Sequence, residues 1–263
     1  MKYLNSRNRA ILREMVVTDF KIRYQNSFLG YLWSLLKPLF LFAILYVVFT
    51  YIIPLGKGVP HYSVYLLMGI VLWNFFVEST IIGAGSVVAR GDMIRKIRIP
   101  RYLIVISSSL SALVNLGLSL IVVFIFALFN GVEPTLSWFL IIPIIIELFV
   151  FAQGLSFLLS ALFVKFRDIT YIWEICLQAG FYATPILYPL TNVPQQYVKW
   201  FFINPMAQII QDARYVVVTD TTTTLWSTVH SWKVVIPFVI VIVISVIGGV
   251  YFKRRSKYFA EDI

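Results

Sequence analysis

Six stretches of the chain, 31–53, 62–88, 102–129, 137–163, 170–188 and 234–252, run for about twenty residues each with few charges. A helix needs about 20 apolar residues to cross ~30 Å of hydrocarbon. The pattern therefore predicts an all-α membrane protein with six transmembrane helices. Residues 4–24 follow a different period. At 100° per residue, Leu4, Ile11, Met15 and Ile22 fall within about 40° of one another, with Arg13, Glu14 and Lys21 on the far side. This predicts an amphipathic helix lying on the cytoplasmic face, where each cation adds about 1 kcal/mol of attraction to anionic headgroups. Arg23 and Asp19 blur the pattern.

The connections are uneven. Segment 54–61 carries Pro54, Gly56, Gly58 and Pro60, and segment 130–136 is a turn on Asn130-Gly131 and Pro134. Segment 189–233 is long and holds Pro189, Pro194 and Asn204-Pro205 around two apolar runs, 197–203 and 206–218. Water would not solvate such runs well. They are expected to dip into the membrane or lie on its outer surface as short helices between spans five and six. No internal repeat is present, and the one low-complexity patch is 221–224.

Charge fixes the expected orientation. With the N-terminus inside, eighteen of the twenty-two Lys and Arg residues fall on the cytoplasmic side, leaving Lys57, Lys199, Arg214 and Lys233 outside. The positive-inside rule then puts both termini in the cytoplasm. Topology thus accounts for the net charge of +10 better than nucleic acid does. Residues 1–28 hold no short apolar core with a cleavage site, which argues against a secretory signal.

The candidate chemistry is sparse. There is no GxxxxGK[ST] loop for ATP phosphates, no Asp-rich cluster for a Mg²⁺-diphosphate, and no Ser/His/Asp or HExxH set. Cys176 stands alone, and His61 and His230 lie in or beside connections, so no metal is expected. Glu78, Glu147 and Glu174 fall inside spans, where a charge costs ~2.5–3.5 kcal/mol, so each should face protein or water. They read either as hydrogen-bonded carboxyls between helices or as the sites of an ion-coupled carrier using Glu78 and Glu147. Phe42, Tyr46 and Phe49 share one face of the first span, with Tyr31 and Trp33 near its cytoplasmic end. Aromatic faces suit the C–H faces of sugars as well as helix packing. The basic segment 90–101 is interleaved with Met93, Ile94, Ile97 and Ile99, which suits a short surface helix presented to a soluble partner.

The run from Asp19 through Gln25-Asn26-Ser27-Phe28-Leu29-Gly30-Tyr31-Leu32-Trp33 to Lys37-Pro38 resembles the lead-in to the first span of a known family. That family is the transmembrane subunits of ABC-2 type polysaccharide exporters: the O-antigen, capsule and teichoic acid permeases. Phe166-Arg167-Asp168-Ile169 is similar to its element between spans four and five. Thr184-Pro185-Ile186-Leu187-Tyr188, Pro194 and Asn204-Pro205-Met206 through Arg214 resemble its external segment. The resemblance implies residues 1–28 as an interface helix and 29–263 as a six-span domain. It also implies a homodimer with two copies of a separate cytoplasmic ATPase, which would bind ATP and Mg. The substrate it implies is a polyprenyl-diphosphate-linked glycan.

Under the same resemblance, Asp92, Ile94, Arg95, Lys96, Ile97, Arg98 and Ile99 would couple to the ATPase. Tyr31, Trp33, Phe42, Tyr46 and Phe49 would line the glycan path. Lys21, Arg23 and Lys37 would meet the lipid diphosphate. Tyr197, Trp200, Asn204, Pro205 and Arg214 would belong to the exit. The chain itself would carry no catalysis and no cofactor. Rival readings are an ABC-2 permease for drugs or lipids, an ion-coupled carrier, and a membrane glycosyl or lipid transferase.

Overall fold

A computed structural model describes residues 6–24, 30–53, 55–56, 58–96 and 99–259. Among them every regular element is helical. In chain order these are α1 (Ser6–Tyr24), α2 (Gly30–Val47, continued by a π-helical turn Val48–Ile52), α3 (Tyr62–Ala89), α4 (Gly91–Lys96) and α5 (Tyr102–Phe129). Then come α6 (Ile141–Lys165), α7 (Ile169–Ala183), α8 (Gln195–Phe201), α9 (Pro205–Val217), α10 (Leu225–Thr228) and α11 (Ile236–Arg255). Short 3₁₀ turns lead into α6 and α11.

Four of these helices are long and apolar enough to cross a bilayer among the described residues: Tyr62–Ala89, Tyr102–Phe129, Leu136–Lys165 and Trp232–Arg255. They coincide within a few residues with four of the six expected spans. The fifth expected span, 170–188, is helical only as the 15-residue α7, about 22 Å at 1.5 Å per residue. Thr184 through Tyr188 leave the helix because Pro185 cannot donate to the helical ladder and biases Thr184 toward the extended backbone it adopts. The expected first span corresponds to α2 and its π turn.

α3 is the central helix. It is apolar on all sides and buried along most of its length, as a helix with no polar face must be. α5 and α6 pack along it, and α11 packs along α6. Small residues let these backbones approach. Ser79 Oγ bonds Ser109 Oγ at 3.1 Å, and Ser156 Oγ donates to the Ser79 carbonyl at 3.0 Å beside Gly83. Gly248 of α11 lies directly against the Gly154 backbone of α6, with no room for a side chain. The turn after α5 is closed by Gly131 at φ +79°, a backbone that side chains disfavour, while Asn130 Oδ1 accepts from Ser63 Oγ at 2.9 Å.

At the other end, α1 lies along the start of α5. Asn8 Nδ2 donates to Tyr102 Oη at 3.2 Å, and the Arg90 guanidinium pairs with Asp19 and bonds Ser107 Oγ at 2.9 Å. Of the stripe expected on α1, Met15 is buried and Ile11 half-buried. Leu4 and the Ile22 side chain lie outside the described residues.

Candidate functional site

The segment between α7 and α11 folds back against the bundle, with Arg214 at the centre of the hydrogen bonds that hold it there. Asn204 caps α9: its Oδ1 accepts from the Met206 amide at 3.0 Å, and Pro205 at the first helical position needs no donor. Asn204 Nδ2 donates to Thr184 Oγ1 at 2.9 Å. Three turns on, Arg214 is 0% exposed. Its Nε donates to the Tyr65 carbonyl at 2.9 Å, Nη1 to the Pro185 carbonyl at 2.6 Å and Gln211 Oε1 at 3.1 Å, and Nη2 to the Ile186 carbonyl at 2.7 Å. The guanidinium also lies 3.6 Å from the centre of the Tyr65 ring. Tyr65 Oη donates to Gln211 Oε1 at 3.1 Å, and Tyr62 Oη to the Leu187 carbonyl at 2.7 Å.

A planar cation with five donors is suited to this cradle of carbonyls, which a point-like ammonium would satisfy only in part. Gly69 makes the space: a Cβ there would collide with Arg214 Nη2. The residues from Thr184 to Leu187, Asn204-Pro205-Met206 and Arg214, far apart in sequence, thus meet at the start of α3.

Beside the clasp lies a polar trio. Gln208 Nε2 donates to Asp212 Oδ2 at 2.8 Å and to Glu147 Oε2 at 3.3 Å across the α6–α9 contact. Glu147 Oε1, Gln208 Oε1 and Asp212 Oδ1 are buried without a partner among the described residues. Glu78 accepts from Asn115 Nδ2 at 2.8 Å, linking α3 to α5. Glu174 is exposed on α7. No group of three metal-ligating side chains occurs among the described residues.

The aromatic positions separate. Phe42 is buried, stacked on Tyr46 at 5.7 Å and edge-on to Phe126 of α5 at 5.5 Å. Tyr46 and Phe49 are half-buried. The side chains of Tyr31 and Trp33 lie outside the described residues. Tyr197 and Trp200 of α8 are exposed, in contrast to the buried Pro205 and Arg214. An exposed face on α7 is wider than the sequence pattern conveyed. Tyr171, Gln178 and Tyr182 align on it with Glu174 alongside. A helical wheel drawn on 169–183 would have found it, because Gln178 stands two turns from Tyr171.

At the end where α1 and α4 lie, Lys21 is exposed, while the side chains of Arg23 and Lys37 lie outside the described residues. In α4, Asp92 is exposed and Met93 half-buried, but Ile94 packs inward against a small core of Val87, Val105, Phe252 and Phe259. Ile99 faces the same groove as Ile94. Ile97, Arg98 and the side chains of Arg95 and Lys96 lie outside the described residues. Tyr65, Gly69, Gln208, Gln211 and Asp212 were not singled out by sequence. For Gln208, Gln211 and Asp212 the signal was a set of polar residues breaking an otherwise apolar 13-residue helix, whereas Tyr65 and Gly69 carry none within α3.

Comparison with known proteins fits this arrangement. Residues 12–218 match the family model described as ABC-2 type transporter. The chain is 31% identical over 244 residues to the O-antigen export system permease protein RfbA of Klebsiella pneumoniae, covering 92% of this chain and 91% of that one. A protein of the same name from Myxococcus xanthus is 29% identical over 204 residues, covering 77% and 78%. The polysialic acid transport protein KpsM of Escherichia coli is 22% identical over 209 residues, covering 76% and 78%.

Proposed function

Because the chain belongs to the ABC-2 type transporter family, we propose that it is the permease subunit of an ATP-driven exporter of a lipid-linked polysaccharide. The observation that carries this reading is the likeness over 92% of the chain to a permease named for O-antigen export, joined by one over 76% to a protein named for polysialic acid transport. In it, α2 and α7 complete a six-span subunit in the cytoplasmic membrane, with both ends inside. Two copies pair through these helices, whose outer faces are exposed: Phe40, Leu41 and Ile44 on α2, and Tyr171, Ile175 and Tyr182 on α7. The Tyr171–Gln178–Tyr182 face, with Glu174 beside it, then supplies hydrogen bonds and ring faces to a passing glycan.

The energy comes from a separate ATPase that holds ATP and Mg, docked where α4 follows Arg90. Asp92, being exposed, meets that partner, while Ile94 and Ile99 anchor the segment to the bundle. The Arg90–Asp19 pair ties the same point to α1. Arg214, Asn204 and Pro205 fix the re-entrant segment that forms the exit, and Tyr197 and Trp200 line its outer rim.

The test is genetic and chemical. Removing this chain should abolish surface polymer and leave the finished polymer on its lipid carrier in the cytoplasmic leaflet. Normal surface polymer would overturn the reading, as would glycosyl transfer by the purified chain alone.

A further inference from the structure

At the end where α5 begins and α11 ends, those two helices do not close on one another across α6, although Phe157 of α6 meets Phe252 of α11 at 5.0 Å. They leave a groove of about 820 Å³, within the ~300–1,000 Å³ range of small-molecule sites, walled by Ile94, Phe157 and Phe252. Two cations stand on its lining, Arg101 where α5 begins and Lys253 where α11 ends. Neither has an acidic partner within ion-pair distance among the described residues. Above the groove, Ile242 and Val246 of α11 are exposed on the face that carries Gly249 and Lys253, so an apolar surface runs from the opening along the helix. Gly249 widens the opening on that path, since a Cβ there would meet nothing within 4 Å.

Apolar walls with unpaired cations at the cytoplasmic end describe a molecule with a chain at one end and an anion at the other. A soluble anion would leave the walls bare, and an uncharged apolar molecule would leave the cations unused. No wall of the groove comes from α2 or α7, which sets it apart from the faces assigned to the glycan.

We propose that this groove is a binding site for an anionic phospholipid of the cytoplasmic leaflet. One acyl chain lies between α5 and α11, over Phe157 of α6, and the phosphate rests between Arg101 and Lys253. The occupant would bridge the segment that follows α4 to the end of α11. The assignment to the cytoplasmic leaflet rests on the orientation proposed above. The binding itself does not rest on what is exported.

The test uses the full-length chain, purified and stripped of lipid. Phosphatidylglycerol and phosphatidylcholine of identical chains are titrated separately and bound lipid is counted by native mass spectrometry. One phosphatidylglycerol per chain should be retained about tenfold more tightly than phosphatidylcholine. The double variant Arg101→Gln, Lys253→Gln should erase that preference. Gly249→Leu, which leaves both charges in place and fills the opening, should weaken both lipids. If the double variant does not fold, Gly249→Leu decides alone.

Equal binding of the two lipids by the unaltered chain would overturn the proposal. So would unchanged phosphatidylglycerol binding in the variants that fold. Displacement of phosphatidylglycerol by equimolar undecaprenyl diphosphate would overturn it too, by making the groove a substrate site. Accessibility of a Ser256→Cys thiol in a Cys176→Ser background, probed from outside intact cells, tests the orientation separately. Labelling there would overturn the leaflet assignment.

Discussion

Arg214 is the residue that ties α9 to the start of α3 and to the segment that follows α7. A fully buried guanidinium, with no carboxylate paired to it among the described residues, is held by three carbonyls, an amide oxygen and an aromatic face. Replacing Arg214 by Ala should cost about 1–3 kcal/mol for each carbonyl left without another donor. Arg214→Lys should recover little, because an ammonium cannot span the Tyr65, Pro185 and Ile186 carbonyls at once. Gly69→Ala should mimic the loss from the opposite side by pushing the guanidinium out of its cradle. All three variants should lower the melting temperature in detergent, measured by loss of the monodisperse chromatographic peak on heating. Full stability in Arg214→Lys would show that the clasp is not what holds the segment between α7 and α11.

Among the elements, the adjacent glycines of α11 offer a controlled comparison. Gly248 lies on the Gly154 backbone, whereas Gly249 faces open space. Gly248→Ala should force α6 and α11 apart and destabilise the chain. Gly249→Ala should be neutral or stabilising by up to about 1 kcal/mol, as removing a helical glycine usually is. Equal effects on thermal stability would refute the close α6–α11 crossing. A second prediction concerns α1. Asp19→Asn removes the partner of Arg90 at a site only partly exposed, worth about 1 kcal/mol. Export per ATP hydrolysed by the assembled transporter should fall several-fold with little change in stability, and the swap Asp19→Arg, Arg90→Asp should restore part of it. Unchanged export in Asp19→Asn would remove α1 from the coupling path. Element positions were legible in sequence wherever hydropathy decides them: the four long apolar helices begin and end close to where the charge-poor runs do. Two kinds of feature were not legible. The contact between Arg214 and Tyr65 joins residues 149 apart, and no periodicity encodes such a pairing. The inward turn of Ile94 depends on Phe252 and Phe259 arriving from the far end of the chain. An aliphatic residue in a basic loop reads the same whether it faces a partner or its own core.

For the molecule as a whole, the distribution of burial decides what one copy can do. α3 is enclosed, while α2 and α7 pack mainly against one side and leave large apolar and aromatic faces open. Part of such a surface can face lipid. The α7 face cannot do so comfortably, because Glu174 and Gln178 stand among its aromatics. Polar side chains at that depth need either water or another protein surface, and the second copy of α7 proposed above, across a hydrated path, would supply both. Gln178→Cys, in a chain whose native Cys176 is replaced by Ser, should therefore cross-link to its own counterpart in native membranes through a short bis-maleimide. The product should run at twice the 30.3 kDa of the single chain. A cysteine at Ile121, exposed on α5 away from this face, should not cross-link. Cross-linking from Ile121 but not Gln178 would move the dimer contact to α5 and leave the polar face of α7 without its partner. Gln178→Leu, which keeps the helix and removes the hydrogen-bonding group, should reduce polymer export at least tenfold while the dimer still forms. Only a role in the path, and not one in assembly, separates those two readouts.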